Sequence, residues 1–336
     1  MKAHIFKSIA LALIALVALG SCDTLNKISK PGMTSQGSPY EVYVVCNQPE
    51  WEGAGLGERV DSLLSLNAPH IYIQEPQFKM LHILFSGYEG LIAKHRNIIT
   101  IEINPSFKEP KMIVMNDMQA TPQVVINIKA STSAAAKEFF TEKYEEIATI
   151  LEREERMRDV SYAANYNEPA INQRIKTKFG VNMNVPQGYT IRQDSEDFLW
   201  VSFETEHSSQ GFMLYTYPAD SAIDSESILA ARNAWVKRVP GPSDGSYMTT
   251  SAYAPTEFSS LTINGRKWYE QRGAWRVMHD HMGGPYVSYS TLDNATNRII
   301  VLDCYLYSEK DSRNYLHELE HLIYGVEVPY ALQATK

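Results

Sequence analysis

The spacing of apolar positions changes several times along the chain, and each change marks a predicted element. Residues 9–19 (IALALIALVAL) are an unbroken apolar run of eleven, too short to cross a bilayer as a stable helix. After a polar stretch, residues 40–46 (YEVYVVC) are β-branched and aromatic and predict a strand. Val60, Leu63 and Leu64 share one helical face and predict a helix over 58–66. Strands are expected at 80–85, 98–103, 111–115 and 124–128, with a short helix at 88–95. Phe140, Tyr144, Ile147 and Leu151 recur at helical spacing, and Ser131 or Ser133 is placed to cap that helix. The charged run from Glu152 to Arg158 should carry it onward into solvent. Residues 165–169 break the pattern, Ile171, Ile175 and Phe179 restart it, and Gly180 stops it.

Beyond Val181 the period shortens to two. Alternating segments predict strands at 198–204, 212–217, 247–253, 266–272, 286–290 and 299–307. One helix, 225–237, interrupts them. Another, 311–324, closes the chain with Leu316, Leu319, Leu322 and Ile323 as its apolar stripe. Thirteen of the 20 Tyr and four of the 5 Trp lie past Pro186, which suits a half-buried antiparallel sheet. The fold class expected is α+β. Two α/β domains are expected, at 39–180 and 181–330, the second an antiparallel, aromatic-rich sheet packed with helices.

Composition narrows the function classes. With 336 residues, 44% hydrophobic and 11% aromatic, the chain is no disordered polymer and is long enough for two cores. A net charge of -8 argues against a nucleic-acid partner, which needs a basic footprint. Three Cys exclude a disulfide-built scaffold.

The amino terminus carries an address. Lys2 and Lys7 precede the apolar run, and Leu19-Gly20-Ser21-Cys22 follows it directly. This arrangement resembles the lipobox of bacterial lipoproteins. The resemblance implies a signal peptide at 1–21, lipidation of Cys22 and a lipidated tether at 22–38. The partner would then be a membrane, reached through the anchor at Cys22. The location would be the bacterial cell envelope, with the globular part facing the periplasm. Loss of two lysines with the leader makes the mature chain more acidic still. Acyl chains, and not attraction to anionic headgroups, would therefore hold it.

The lipobox, the YEVYVV strand, the long charged helix and the C-terminal aromatic segments together resemble a family of uncharacterised bacterial lipoproteins. That family is catalogued as a domain of unknown function (DUF4837), and the resemblance brings no known activity. The stretch from VPQGYTIR through YTYP to the last helix also resembles the α/β/α sandwich of PsbP-type and Mog-type proteins, a likeness of fold alone.

Several patterns could carry chemistry. His317-Glu318-Leu319-Glu320-His321 matches H-E-x-x-H on a predicted helix, in which two imidazoles at i and i+4 reach one zinc and the glutamate acts as base. At 100° per residue, however, His317 and His321 point away from the Leu316–Leu319–Ile323 stripe, so they are expected to face solvent, with Glu327 the nearest third ligand. His279 and His281, two apart, offer a second imidazole pair, although the following Met-Gly-Gly-Pro favours a turn. Gly241-Pro-Ser243-Asp-Gly245 matches G-x-S-x-G with helix and strand in the wrong order for a nucleophile elbow. Gly53-Ala-Gly55-Leu-Gly57 lacks the spacing and the lysine of a phosphate loop. Cys46 and Cys304 could pair in an oxidising compartment or remain as two buried thiols. The aromatic sheet could stack a glycan or peptide, but aromatic side chains are equally the filling of a small sandwich.

The function expected is a membrane-anchored envelope protein that binds another envelope protein, a peptide or a glycan, with no cofactor and no catalysis. The alternative is a zinc-dependent hydrolase using His317, Glu318 and His321.

Overall fold

A computed structural model describes residues 33–70, 74–219, 223–309 and 312–329. The leader, Cys22 and the tether as far as residue 32 lie outside the described residues. Among those described, no helix is long and apolar enough to cross a membrane.

The first half is built on a five-stranded sheet. Its strands are β1 (Glu41–Val45), β2 (Lys79–Ile83), β3 (Asn97–Ile103), β4 (Lys111–Asn116) and β5 (Val124–Ala130), in the order β2-β1-β3-β5-β4. All neighbours run parallel except β4, which lies antiparallel along β5 at one edge. β3 and β5 are buried along most of their length, as strands covered on both faces must be. One face takes α2 (Leu56–Leu64), preceded by the short α1 (Gln48–Glu52), and α3 (Ser133–Asn165). There Val42, Val44, Ile99 and Ile126 meet Leu56, Val60, Phe140 and Ile147 in one core. A smaller cluster around Val45, Ile98 and Val125 covers the other face. The helix expected at 88–95 is absent. The chain makes only 3-10 turns at Phe85–Gly87 and Ile92–Lys94, with Gly90 at φ +58° between them.

α3 is 33 residues long, about 50 Å at 1.5 Å per residue. Its cap is Thr132, between the two serines read as candidates: the Thr132 hydroxyl accepts from the Ala135 amide at 3.1 Å. Its apolar stripe ends at Leu151, but the charged run emerges into solvent only in part, at Arg153 and Met157. Glu154, Glu155 and Arg158 are all buried, and Glu155 and Arg158 meet Arg96 and Asn97 of the first half. α4 (Pro169–Phe179) follows and stops at Gly180, which adopts φ +66°. Its Ile171, Ile175 and Phe179 join the second core. The change of core therefore falls just before Pro169, ahead of Gly180.

The second half is one antiparallel sheet of eight strands. They are β6 (Thr190–Ser195), β7 (Phe198–Glu204), β8 (Ser208–Pro218), β9 (Tyr247–Thr250), β10 (Glu257–Ile263), β11 (Arg266–Met278), β12 (Gly283–Asp293) and β13 (Arg298–Ser308). The order is β10-β11-β12-β13-β8-β7-β6, with β9 beside β11. β10, not predicted, is an edge strand with most of its residues exposed, so it lacks the apolar alternation that betrays a buried one. The period of two sorts the side chains cleanly. Leu199, Phe212, Leu214, Leu302 and Leu306 face α4 and the last helix α6 (Ser312–His321). Phe198, Met213, Tyr215, Val301 and Tyr305 face α5 (Ser225–Val236), where Tyr215 stacks on Trp235 at 5.1 Å. Helices thus flank both faces of the sheet. Most of its aromatics are core filling, with Trp268, Tyr286 and Tyr289 each 2% exposed.

Thr132→Ala should cost about 1 kcal/mol of stability in urea denaturation, whereas Ser131→Ala should change it by less than about 0.5 kcal/mol.

Candidate functional site

The buried charges of α3 organise the junction between the halves. Glu155 accepts from Asn97 Nδ2 at 2.6 Å and from Arg158 Nη1 at 2.9 Å, and pairs with Arg96 at 2.7 Å. The Tyr40 amide approaches the same carboxylate at 3.4 Å. Tyr40 sits at φ +60°, a strained backbone for a bulky residue, and this web holds it there. Its hydroxyl donates to Glu152 Oε2 at 3.0 Å. Gln77 approaches the other Glu152 oxygen at 3.4 Å and is itself held by the Tyr144 hydroxyl at 2.9 Å.

α6 lays its His-Glu-x-x-His face against this surface. His317 and His321 do point away from the apolar stripe, but they do not face solvent: each is 6% exposed. The side of α6 opposite its own core is covered by α3. His317 stacks on Tyr40 with ring centres 4.7 Å apart, and its Nδ1 lies 3.0 Å from Glu320 Oε2. Glu320 is ion-paired in turn with Arg272 of β11, which Glu270 also holds at 2.8 Å. His321 Nδ1 lies 2.7 Å from Asp159 Oδ2 on α3. The two imidazoles are nearly parallel, 6.1 Å between centres. His317 Nε2 is buried and has no hydrogen-bond partner.

One donor atom each from Glu152, His317 and His321 lies within 4.8 Å of the others. The carboxylate that the fold brings to the two imidazoles is therefore Glu152, and not Glu327, which is exposed and pairs through its backbone with Asn182 at 2.8 and 2.9 Å. No local signal in the sequence marks Glu152 as the partner of a motif so far downstream. The clue was the density of acids on a helix whose apolar stripe had just ended.

The electrostatics follow from burial and neighbours. Burial opposes a charge on His317, but Glu320 and Glu152 outweigh it and raise its pKa. Burial likewise opposes a charge on Glu320, yet Arg272 and His317 hold its carboxyl far below the usual range. Glu318 is ion-paired with no cation among the described residues. Burial, with the charge of Asp159, pushes it up to about 7.

Glu318 opens onto a cleft of ≈ 550 Å³ between the halves. Arg96, Asp159 and Tyr162 line it from the first half; Phe203, Gln210, Tyr315 and His321 line it from the second. Aromatic faces and hydrogen-bonding groups of both signs converge there.

The remaining candidates fall elsewhere. His279, at φ +67°, and His281 are exposed in the turn between β11 and β12, as their flanking residues suggested. Among the described residues they join no ligand cluster. Ser243 lies in a loop and donates to Asp280 at 3.1 Å, with no base arranged for it. Gly55, at φ +68°, is simply the entry to α2. Cys46 and Cys304 are free thiols buried in different cores, so they do not form the disulfide that the compartment would permit. Burial pushes Cys46 up to about 12 and Cys304 well above its ordinary value.

Residues 168–325 match the model of a domain of unknown function (DUF4837). Residues 35–161 match a second, a domain of unknown function (DUF8532). The resemblance read from the sequence thus holds for the second half, while the first half has a model of its own. The two meet where α3 gives way to α4. No curated protein matches the sequence. Among solved structures, the Ran-binding protein Mog1p of Saccharomyces cerevisiae is similar at 7% identity, over 44% of this chain and 89% of that one, with TM-score 0.29. LpqN of Mycobacterium tuberculosis, described as involved in cell envelope biogenesis, is similar at 13% identity, over 43% of this chain and 79% of that one, with TM-score 0.26.

Glu155→Ala should destabilise the protein by about 3–5 kcal/mol in urea denaturation, because it leaves Arg96 and Arg158 beside an empty acceptor.

Proposed function

We propose that this chain is a lipid-anchored protein of the bacterial cell envelope that binds an envelope peptide or glycan in the cleft between its halves. The cleft carries the reading. It draws its lining from both halves, places the aromatic faces of Phe203 and Tyr315 beside Arg96, Asp159 and Glu318, and has a volume of ≈ 550 Å³, in the range of small-ligand sites. The anchor rests on the sequence around Cys22. Its support is the register of charge, apolar run, small residues and cysteine.

A zinc-dependent hydrolase is the second reading, and one observation favours it. Glu318, the base of the His-Glu-x-x-His pattern, lines the cleft with its carboxyl pushed up to about 7, the range that suits a general base. Against it, His317 is buried away from the cleft and lines no part of it.

Cys22→Ala should move the protein from the membrane to the soluble fraction of lysed cells. If that variant still sediments with membranes, the lipid anchor is wrong. Soluble peptidoglycan fragments, which offer both sugar and peptide, should bind in isothermal titration. Affinity should fall at least about tenfold in a Phe203→Ala, Tyr315→Ala variant. Equal binding by both proteins, or none by either, would remove the cleft from the function. Cleavage of the fragments that disappears in Glu318→Gln would replace binding with hydrolysis.

A further inference from the structure

We propose that Glu152, His317 and His321 form a site for one divalent first-row transition-metal ion of the zinc type, which clamps α3 of the first half to α6 of the second. Two imidazoles and a carboxylate are a donor set that zinc accepts, at about 2.0–2.2 Å from each ligand atom. Ligands around a tetrahedral ion lie about 3.4 Å apart. The present spread of up to 4.8 Å closes with small side-chain rotations.

Two further observations point to an ion and not merely to a cluster of polar groups. The first is the way each imidazole is held. His317 Nδ1 faces Glu320 and His321 Nδ1 faces Asp159, at 3.0 and 2.7 Å. Imidazoles that bind metals characteristically donate their other N–H to a carboxylate, which fixes the tautomer and leaves Nε2 as the ligand atom. Arg272 steadies Glu320 from behind, and the Tyr40 ring fixes the plane of His317. The second is the vacant valence. His317 Nε2 is buried on a side chain 7% exposed and meets no hydrogen-bond partner. In the neutral tautomer with Nδ1–H donated to Glu320, Nε2 is the atom left to bind an ion, and zinc would displace any proton it carries. A buried polar atom left unmet is costly, and an ion at this point would meet it.

The Glu152 carboxylate is set for the same role. Tyr40 and Gln77 orient it without a paired cation on either bond. Since zinc binds such N/O sites more tightly than manganese or ferrous iron, Zn²⁺ is the decisive probe. The site is separate from the ligand cleft, which only His321 of the three lines. It stands whatever the cleft binds.

Full-length protein, stripped with chelator and dialysed, is titrated with ZnCl₂ by calorimetry and melted with and without the ion. One equivalent should bind and raise the melting temperature. Glu152→Gln, which keeps an acceptor for Tyr40, and His317→Ala should each weaken binding at least about 100-fold. Asp159→Asn should weaken it about tenfold, and a His279→Ala, His281→Ala control should bind like the parent. Circular dichroism establishes that each variant is folded. No stoichiometric uptake by the folded parent, or uptake that persists in folded Glu152→Gln and His317→Ala, overturns the site. The Nε2 partner would then be water. Fragment binding repeated in chelator reads the cleft separately, so loss of the metal site and loss of the cleft function are told apart.

Discussion

The structure depends on satisfying the charges that α3 buries where it leaves the first sheet. Up to Leu151 the helix is an ordinary amphipathic one, held by apolar contact with the parallel sheet. Beyond it, Glu155 and Arg158 go into the interior with Glu152 and Asp159 beside them. A buried carboxylate or guanidinium without partners is far more costly than any single apolar contact is favourable. Asn97 and Arg96 must therefore come from the start of β3, Tyr40 from the start of β1, and His317 and His321 from the far end of the chain. Meeting these demands fixes the helix against both halves at once.

Once the junction is fixed, the positions of the two sheets follow. The first sheet is covered mainly on one face, and α3 is the element that extends past it. The second needs helices on both faces, and α6 is the one that sits between its core and α3. One side of α6 is apolar and enters the core through Leu316 and Leu319. The other is a row of His and acidic residues that meets the acids of α3. The helix is amphipathic, but its polar face was built for protein and not for water.

That polar interface contains two environments a few ångströms apart. Around Glu320, cations from β11 and α6 hold the carboxylate ionised. Glu318 has no ion pair among the described residues, and burial with the charge of Asp159 moves its carboxyl up to about 7. The first environment steadies an imidazole in a closed pocket; the second faces an open cleft. Neighbouring residues of one motif thus experience opposite electrostatics, set by what the opposing elements bring to each.

Much of this was legible in the sequence. The central strands, the long helix, the alternating sheet and the placing of His317 and His321 opposite the apolar stripe all follow from local periodicity, because an element's own side chains set its period. β10 and the turns at 85–94 were less legible, since an exposed edge and an irregular loop bury too little to impose a pattern. The charged run and the His pair were read as solvated for a related reason. Polarity along a segment reports that it avoids an apolar core, but it does not report whether water or another charged surface lies opposite. Glu152 and His317 are far apart in the chain, and no local rule joins them. The sequence by itself determined most of the elements and their apolar faces. Only the tertiary structure decided that two polar faces meet each other, because the free energy of burying a charge depends on partners that the fold supplies from elsewhere.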